Sequence, residues 1–264
     1  MKYMTFRGSC AFAGVANMLE RFGVDVTDRD IALGMKLPYL FAKEEGAYLG
    51  GPMLQSAQWF DLYLRTLGFA MQEKILPREA VPAALQERDC AMIGLHLSEH
   101  DKHAVICAGH ADGSYCFVNN KWENTDEPEQ LFLTGEELLN RLDAQTAMAV
   151  LVPADVQQPD FAPLFQQSRS VLAEMKHDIA VFCQQEHQPH ELIAAMNPLF
   201  RAVLLDGVTM LELIGQQELA GCFIRIREAL MCAVRSNKPL VPAQHLPLAQ
   251  MYQAIDEYAA LIPS

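Results

Sequence analysis

The chain has 264 residues, a formal net charge of −13 and a sequence pI near 5.0, with 51% hydrophobic and 20% charged residues. That is enough length for one large or two smaller domains with a real core, and an ordinary balance for a globular protein. The acidic excess argues against nucleic acid and anionic membranes as partners, since no basic patch offsets it, and it serves to keep the surface solvated.

The opening residues, MKYMTFRGSC, contain no apolar run of signal-peptide length, and no later stretch approaches a bilayer span. Seven cysteines, without metal or redox spacing, fit a cytoplasmic protein with reduced thiols.

Residues 6–23 (FRGSCAFAGVANMLERFG) read as a helix whose buried face carries Phe12, Val15, Ala16, Leu19 and Phe22, at three- and four-residue steps. Ser9 is the expected N-cap and Gly23 the expected stop. Cys10 then falls in the first turn. There, free backbone N–H groups and the positive end of the helix dipole favour an anion, and the thiolate is the nucleophilic form of cysteine. The competing reading is a small buried residue that packs like alanine.

Thr27 and Asp30 form a capping box that opens a short helix ending near Gly34. Residues 35–51 lack periodicity and read as a long loop folded over a site, the alternative being a packed connection with no role in function. Pro52 suits the first position of a helix to about Leu67, with Gly68 as its stop. Strands are expected over 69–75, 91–97, 104–108, 115–118 and 146–152, with short helices near 78–87 and from Thr134, where Glu137 completes a second capping box. Helices followed by an antiparallel meander make an α+β pattern. From Phe161 the pattern is helical throughout, so the expected domains are 1–152 and 153–264, the second all-helical.

His103 opens the strand in HAVICAGHADGSYCFVNN, and Asp112-Gly113 reads as a tight hairpin turn. A two-residue turn puts Asn120 on the face of His103. A three-residue turn shifts the register by one and puts Asn119 there instead. Cys, His and Asn together suit acyl chemistry: the sulfur attacks an acyl carbon, the imidazole moves the proton, and the amide orients the ring.

This order resembles the papain-like cysteine peptidases and their bacteriocin-processing relatives. SCAFAGVANMLERFGVDVTDRDIALGM, GGPMLQSAQWFDLYLRTLGF and HAVICAGHADGSYCFVNN are similar to the butirosin biosynthesis protein H amino-terminal domain family, over about residues 1–152. The resemblance implies an acyltransferase with Cys10 as nucleophile, His103 as general base and acid, and Asn120 or Asn119 as orienter. It would move an acyl group from a thioester, carried on a phosphopantetheine arm of a carrier protein or on a small molecule, to an amine, with no bound cofactor. Two alternatives stay open. One is a peptidase or thioesterase. The other is a non-catalytic ligand- or partner-binding protein whose helical half provides a dimer interface or a lid.

One departure stands out. Papain-like enzymes carry a Gln shortly before the nucleophile as an oxyanion donor, and residues 1–9 contain none. A second donor beside the Cys10 N–H would have to come from Thr5, Arg7 or the 35–51 stretch. The cluster His96, His100, His103 and His110 lacks metal-ligand spacing and paired cysteines. Cys107, Cys116, Cys183, Cys222 and Cys232 read as core, and His187 and His190, beside Pro189, as solvated.

Overall fold

The computed structural model describes residues 1–123, 125 and 129–264. The apolar three- and four-residue steps produce α1 (Cys10–Glu20), in which Phe12, Val15, Ala16 and Leu19 are wholly buried. Phe22 lies past the end of that helix and is exposed, contrary to the expected stripe. The Thr27–Asp30 box opens α2 (Asp28–Gly34) as expected.

Residues 41–50 differ from the expected loop. They form a hairpin of β1 (Phe41–Glu44) and β2 (Ala47–Gly50), with Glu44 opposite Ala47. Its two-residue turn, Glu45-Gly46, has φ values of 49° and 82°, the left-handed pair that a tight hairpin needs. Pro52 sits in a separate 3₁₀ turn, and α3 (Ala57–Leu64) begins five residues later.

The sheet strands are β3 (Phe69–Pro77), β4 (Ala91–Ser98), β5 (Asp101–Ala111), β6 (Ser114–Asn119), β7 (Gln130–Thr134) and β8 (Gln145–Pro153). The sequence reading missed β7. Between them lie α4 (Val81–Gln86) and α5 (Gly135–Asn140), the latter opened by the Thr134–Glu137 box. The six strands pair antiparallel in the order β3-β8-β4-β5-β6-β7. This is an α+β architecture.

The remaining helices are α6 (Ala162–Cys183), α7 (Pro189–Ala195), α8 (Gly207–Leu213), α9 (Gln217–Arg235) and α10 (Leu248–Leu261). Two π-wound turns, Met196–Phe200 and Ala202–Asp206, link α7 to α8. No single helix among the described residues is long and apolar enough to cross a membrane. A bent pair, Pro189–Phe200 and Ala202–Leu213, meets the length and composition test jointly. Its Leu192, Phe200, Leu204 and Leu211 are wholly buried, as in an ordinary core.

Contacts divide the chain into two units. The first holds Met1–Met35 and Gln55–Pro159, and the second holds Lys36–Leu54 and Asp160–Ser264. The β1–β2 hairpin therefore accompanies the helices of the second unit, where the Phe41 N–H donates to Ser168 Oγ at 2.9 Å. Tyr258, wholly buried there, donates its hydroxyl to the Pro38 carbonyl at 3.1 Å and meets the Phe41 ring edge-on.

In the first unit the sheet has two covered faces. One packs on α1, where Gly14 allows a close approach: a Cβ added there would lie 2.5 Å from Met92 Sδ, 2.8 Å from Asn120 Nδ2 and 3.5 Å from Ile106 Cδ1. The other face carries Ile93, Leu95, Val105, Cys107 and Phe117, packed with Leu85 of α4 and Leu138 of α5.

Some side-chain expectations are corrected. Cys232 is exposed on α9, and Cys222 and Cys116 are half-buried, so none of the three is a fully buried core residue. His187 is buried: its ring stacks on Phe182 at 3.8 Å, with Nε2 2.8 Å from the Phe182 carbonyl.

Candidate functional site

Cys10 is the first residue of α1 and is half-buried. The segment before it is held by Asp28, a wholly buried carboxylate. Asp28 accepts the Thr5 N–H at 2.6 Å, the Thr5 hydroxyl at 2.8 Å and the Ser9 hydroxyl at 2.7 Å. Ser9 was expected to cap α1, but its hydroxyl goes to Asp28 and makes no cap hydrogen bond. The first backbone bond of the helix runs from the Ala13 N–H to the Ser9 carbonyl. The N–H groups of the opening turn therefore have no acceptor within the helix.

Cys10 opens on a cleft of about 340 Å³ bordered also by Gln55, Glu73, Lys102 and His103. Small residues, Gly94, Ala104, Ala147 and Ala149, make up much of its wall. Lys102 is ion-paired with Asp143, which also contacts His96 Nε2 at 2.9 Å. Hydrogen bonds from Lys102, the larger cause, and from His96 hold the Asp143 carboxyl below the usual carboxylate range. Glu73 accepts the N–H of Ala57, in the first turn of α3, at 3.3 Å.

The histidine hairpin resolves both sequence alternatives. Its turn has two residues, with Ala111 opposite Ser114 and positive φ at Asp112 and Gly113. A β-bulge between Cys107 and Gly109 then shifts the register by one, placing Val105 opposite Asn119. So the turn is the short one, yet Asn119 takes the face of Val105 and, by alternation, of His103.

Asn120 faces α1 instead. Its Oδ1 accepts from Asn17 Nδ2 at 2.8 Å, and its Nδ2 donates to the Ala104 carbonyl at 2.6 Å. It is committed to holding α1 against the sheet.

The same alternation determines where His103 points. Ile106 and Met92 touch α1, whereas Val105 and Leu95, the partner of His103 in the β4–β5 register, belong to the far-face core. The imidazole therefore leaves β5 on the far side from α1. Its Nε2 lies 3.1 Å from Asp101, two residues earlier on the same strand, and its Nδ1 is buried without a hydrogen-bond partner. His103 and Cys10 border the same cleft, and among the described residues no hydrogen bond joins the sulfur to the imidazole.

Sequence reading also missed Gln55, Glu73 and Lys102 as cleft residues. Gln55 follows the turn that closes the hairpin segment, and no local pattern marks it. Thr5, one of the expected oxyanion donors, gives both its N–H and its hydroxyl to Asp28. Among the described residues no group of three His, Cys, Asp or Glu side chains could hold a metal ion.

No family model and no curated protein sequence matches the chain. Among solved structures it is similar to the peptidase domain of Streptococcus ComA, a bi-functional ABC transporter involved in a quorum sensing pathway. That match has a TM-score of 0.40 and 10% identity, covering 57% of this chain and 96% of that domain.

Proposed function

We propose that the chain is a papain-like cysteine enzyme that transfers an acyl group through an acyl-cysteine at Cys10. One observation carries this reading: a half-buried thiol stands at the start of a buried helix, in a cleft, with the opening-turn N–H groups left without helical acceptors. Such a position suits an attacking sulfur and an adjacent developing oxyanion.

The donor would be a thioester, free or on the phosphopantetheine arm of a carrier protein, and the acceptor an amine. With water as acceptor the same intermediate gives a thioesterase or peptidase. His103 is proposed as the proton carrier in a rearranged start of β5, since hydrogen bonds of catalysis often form only with substrate in place. Asn119, on its face, would be the orienting amide.

The placement of His103 beside Asp101 favours a second reading, a non-catalytic protein that binds a ligand in the same cleft. Incubating the protein with short-chain acyl thioesters and measuring its intact mass separates the two. The enzyme reading expects an acyl adduct that maps to Cys10 and disappears when an amine is added. An adduct lost only to water would leave the hydrolase, and no adduct with any thioester would leave the binding protein.

A further inference from the structure

The cleft has the nucleophile but no glutamine ahead of it, so the second donor for an oxyanion has to come from elsewhere in the fold. Thr5 is excluded by its two bonds to Asp28. Gln55, exposed on the segment leading into α3, borders the same cavity as Cys10 and Ala11 and brings a neutral side-chain amide to it, whereas the ring of His103, at the same cavity, is assigned to proton transfer. Lys102 is ion-paired with Asp143, and Glu73 is an acceptor.

We infer that Gln55 completes the oxyanion site, its Nε2 acting with the Cys10 backbone N–H. The inference rests on the acyl-transfer reading above. In the step concerned, the Cys10 thiolate bonds to the carbonyl carbon of a thioester and the carbonyl π pair moves onto oxygen. That oxyanion takes hydrogen bonds from the two N–H donors. When the pair returns, the bond to the donor sulfur breaks, and the departing thiolate takes a proton from solvent. Two preorganised donors are the usual provision for such an intermediate.

The test compares two reactions of one thiol. Acylation by a thioester passes through the oxyanion, whereas alkylation by iodoacetamide displaces iodide directly and forms none. Gln55→Ala, a neutral change at an exposed position, should slow single-turnover acylation of Cys10 by about a hundredfold and leave its alkylation rate unchanged. Equal loss in both reactions would mean that Gln55 only supports the fold around Cys10, and no loss in acylation would mean that it donates nothing. Either result overturns the assignment while the acyl-transfer reading stands. Failure of the wild-type protein to acylate at all overturns both.

Discussion

Asn17 on α1 donates to Asn120 at the exit of β6, 2.8 Å away, across 103 residues of sequence. The same Asn17 exchanges hydrogen bonds with the backbone of Lys2, at 2.7 and 3.1 Å. One amide thus joins the amino terminus, the cysteine helix and the histidine hairpin. Both asparagines are buried, so Asn17→Ala strands donors and acceptors that water cannot reach. The expected loss is about 1–3 kcal/mol in urea denaturation, with Asn120→Ala in the same range.

Asp28 fixes the residues before Cys10 through three donors, two from Thr5 and one from Ser9. Asp28→Ala leaves them facing a void and should cost roughly 2–4 kcal/mol. Ser9→Ala removes one bond only. It should reduce stability by about 1 kcal/mol and lower the acylation rate of Cys10 by loosening the turn, measured by single-turnover mass spectrometry.

Gly14 faces Met92 and Asn120 so closely that even a methyl group must displace them. Gly14→Ala should destabilise the first unit by about 1–3 kcal/mol despite alanine's higher helix propensity. Thermal denaturation would show a fall in midpoint. A rise would mean that the α1–sheet spacing is looser than described.

In the second unit, burial pushes the Asp206 carboxyl above its ordinary range, and Arg201, 2.9 Å away, offsets part of that rise. A carboxyl whose folded pKa is raised holds its proton more tightly in the native state. Its contribution to stability therefore grows as pH falls and is lost as pH rises through the folded pKa. The stability of the wild type relative to Asp206→Asn should thus increase from pH 7 towards about pH 4, near the ordinary carboxylate value. Parallel denaturation curves across that range would show that Asp206 titrates normally.

How much of this was visible in the sequence depended on how local the signal was. Both capping boxes and the α1 stripe use neighbours three or four residues apart, and they formed where expected except that the stripe ends at Leu19, before Phe22. The β1–β2 hairpin was missed because its turn is Glu-Gly and its strands have four residues each, too few to show alternation. At the site, the decisive feature is a single-residue bulge near Ala108. Its one mark in the sequence is Gly109, a glycine inside a strand pattern that takes a φ of 156°, and the bulge moves every later residue of β6 to the opposite face of the sheet. Ser9 looked like a cap because Asp28, its actual partner, is 19 residues away.

The seven thiols provide the most direct test of the central claim. Burial pushes Cys183 up to about 12 and Cys90 up to about 11, so both should resist alkylation at neutral pH. Exposed Cys232 is an internal benchmark for an ordinary accessible thiol. Peptide mapping after timed iodoacetamide pulses at pH 7 gives each rate separately. A nucleophilic Cys10 predicts labelling at least about tenfold faster than Cys232. Labelling of Cys10 no faster than Cys232 would contradict the assignment of acyl chemistry to this cleft.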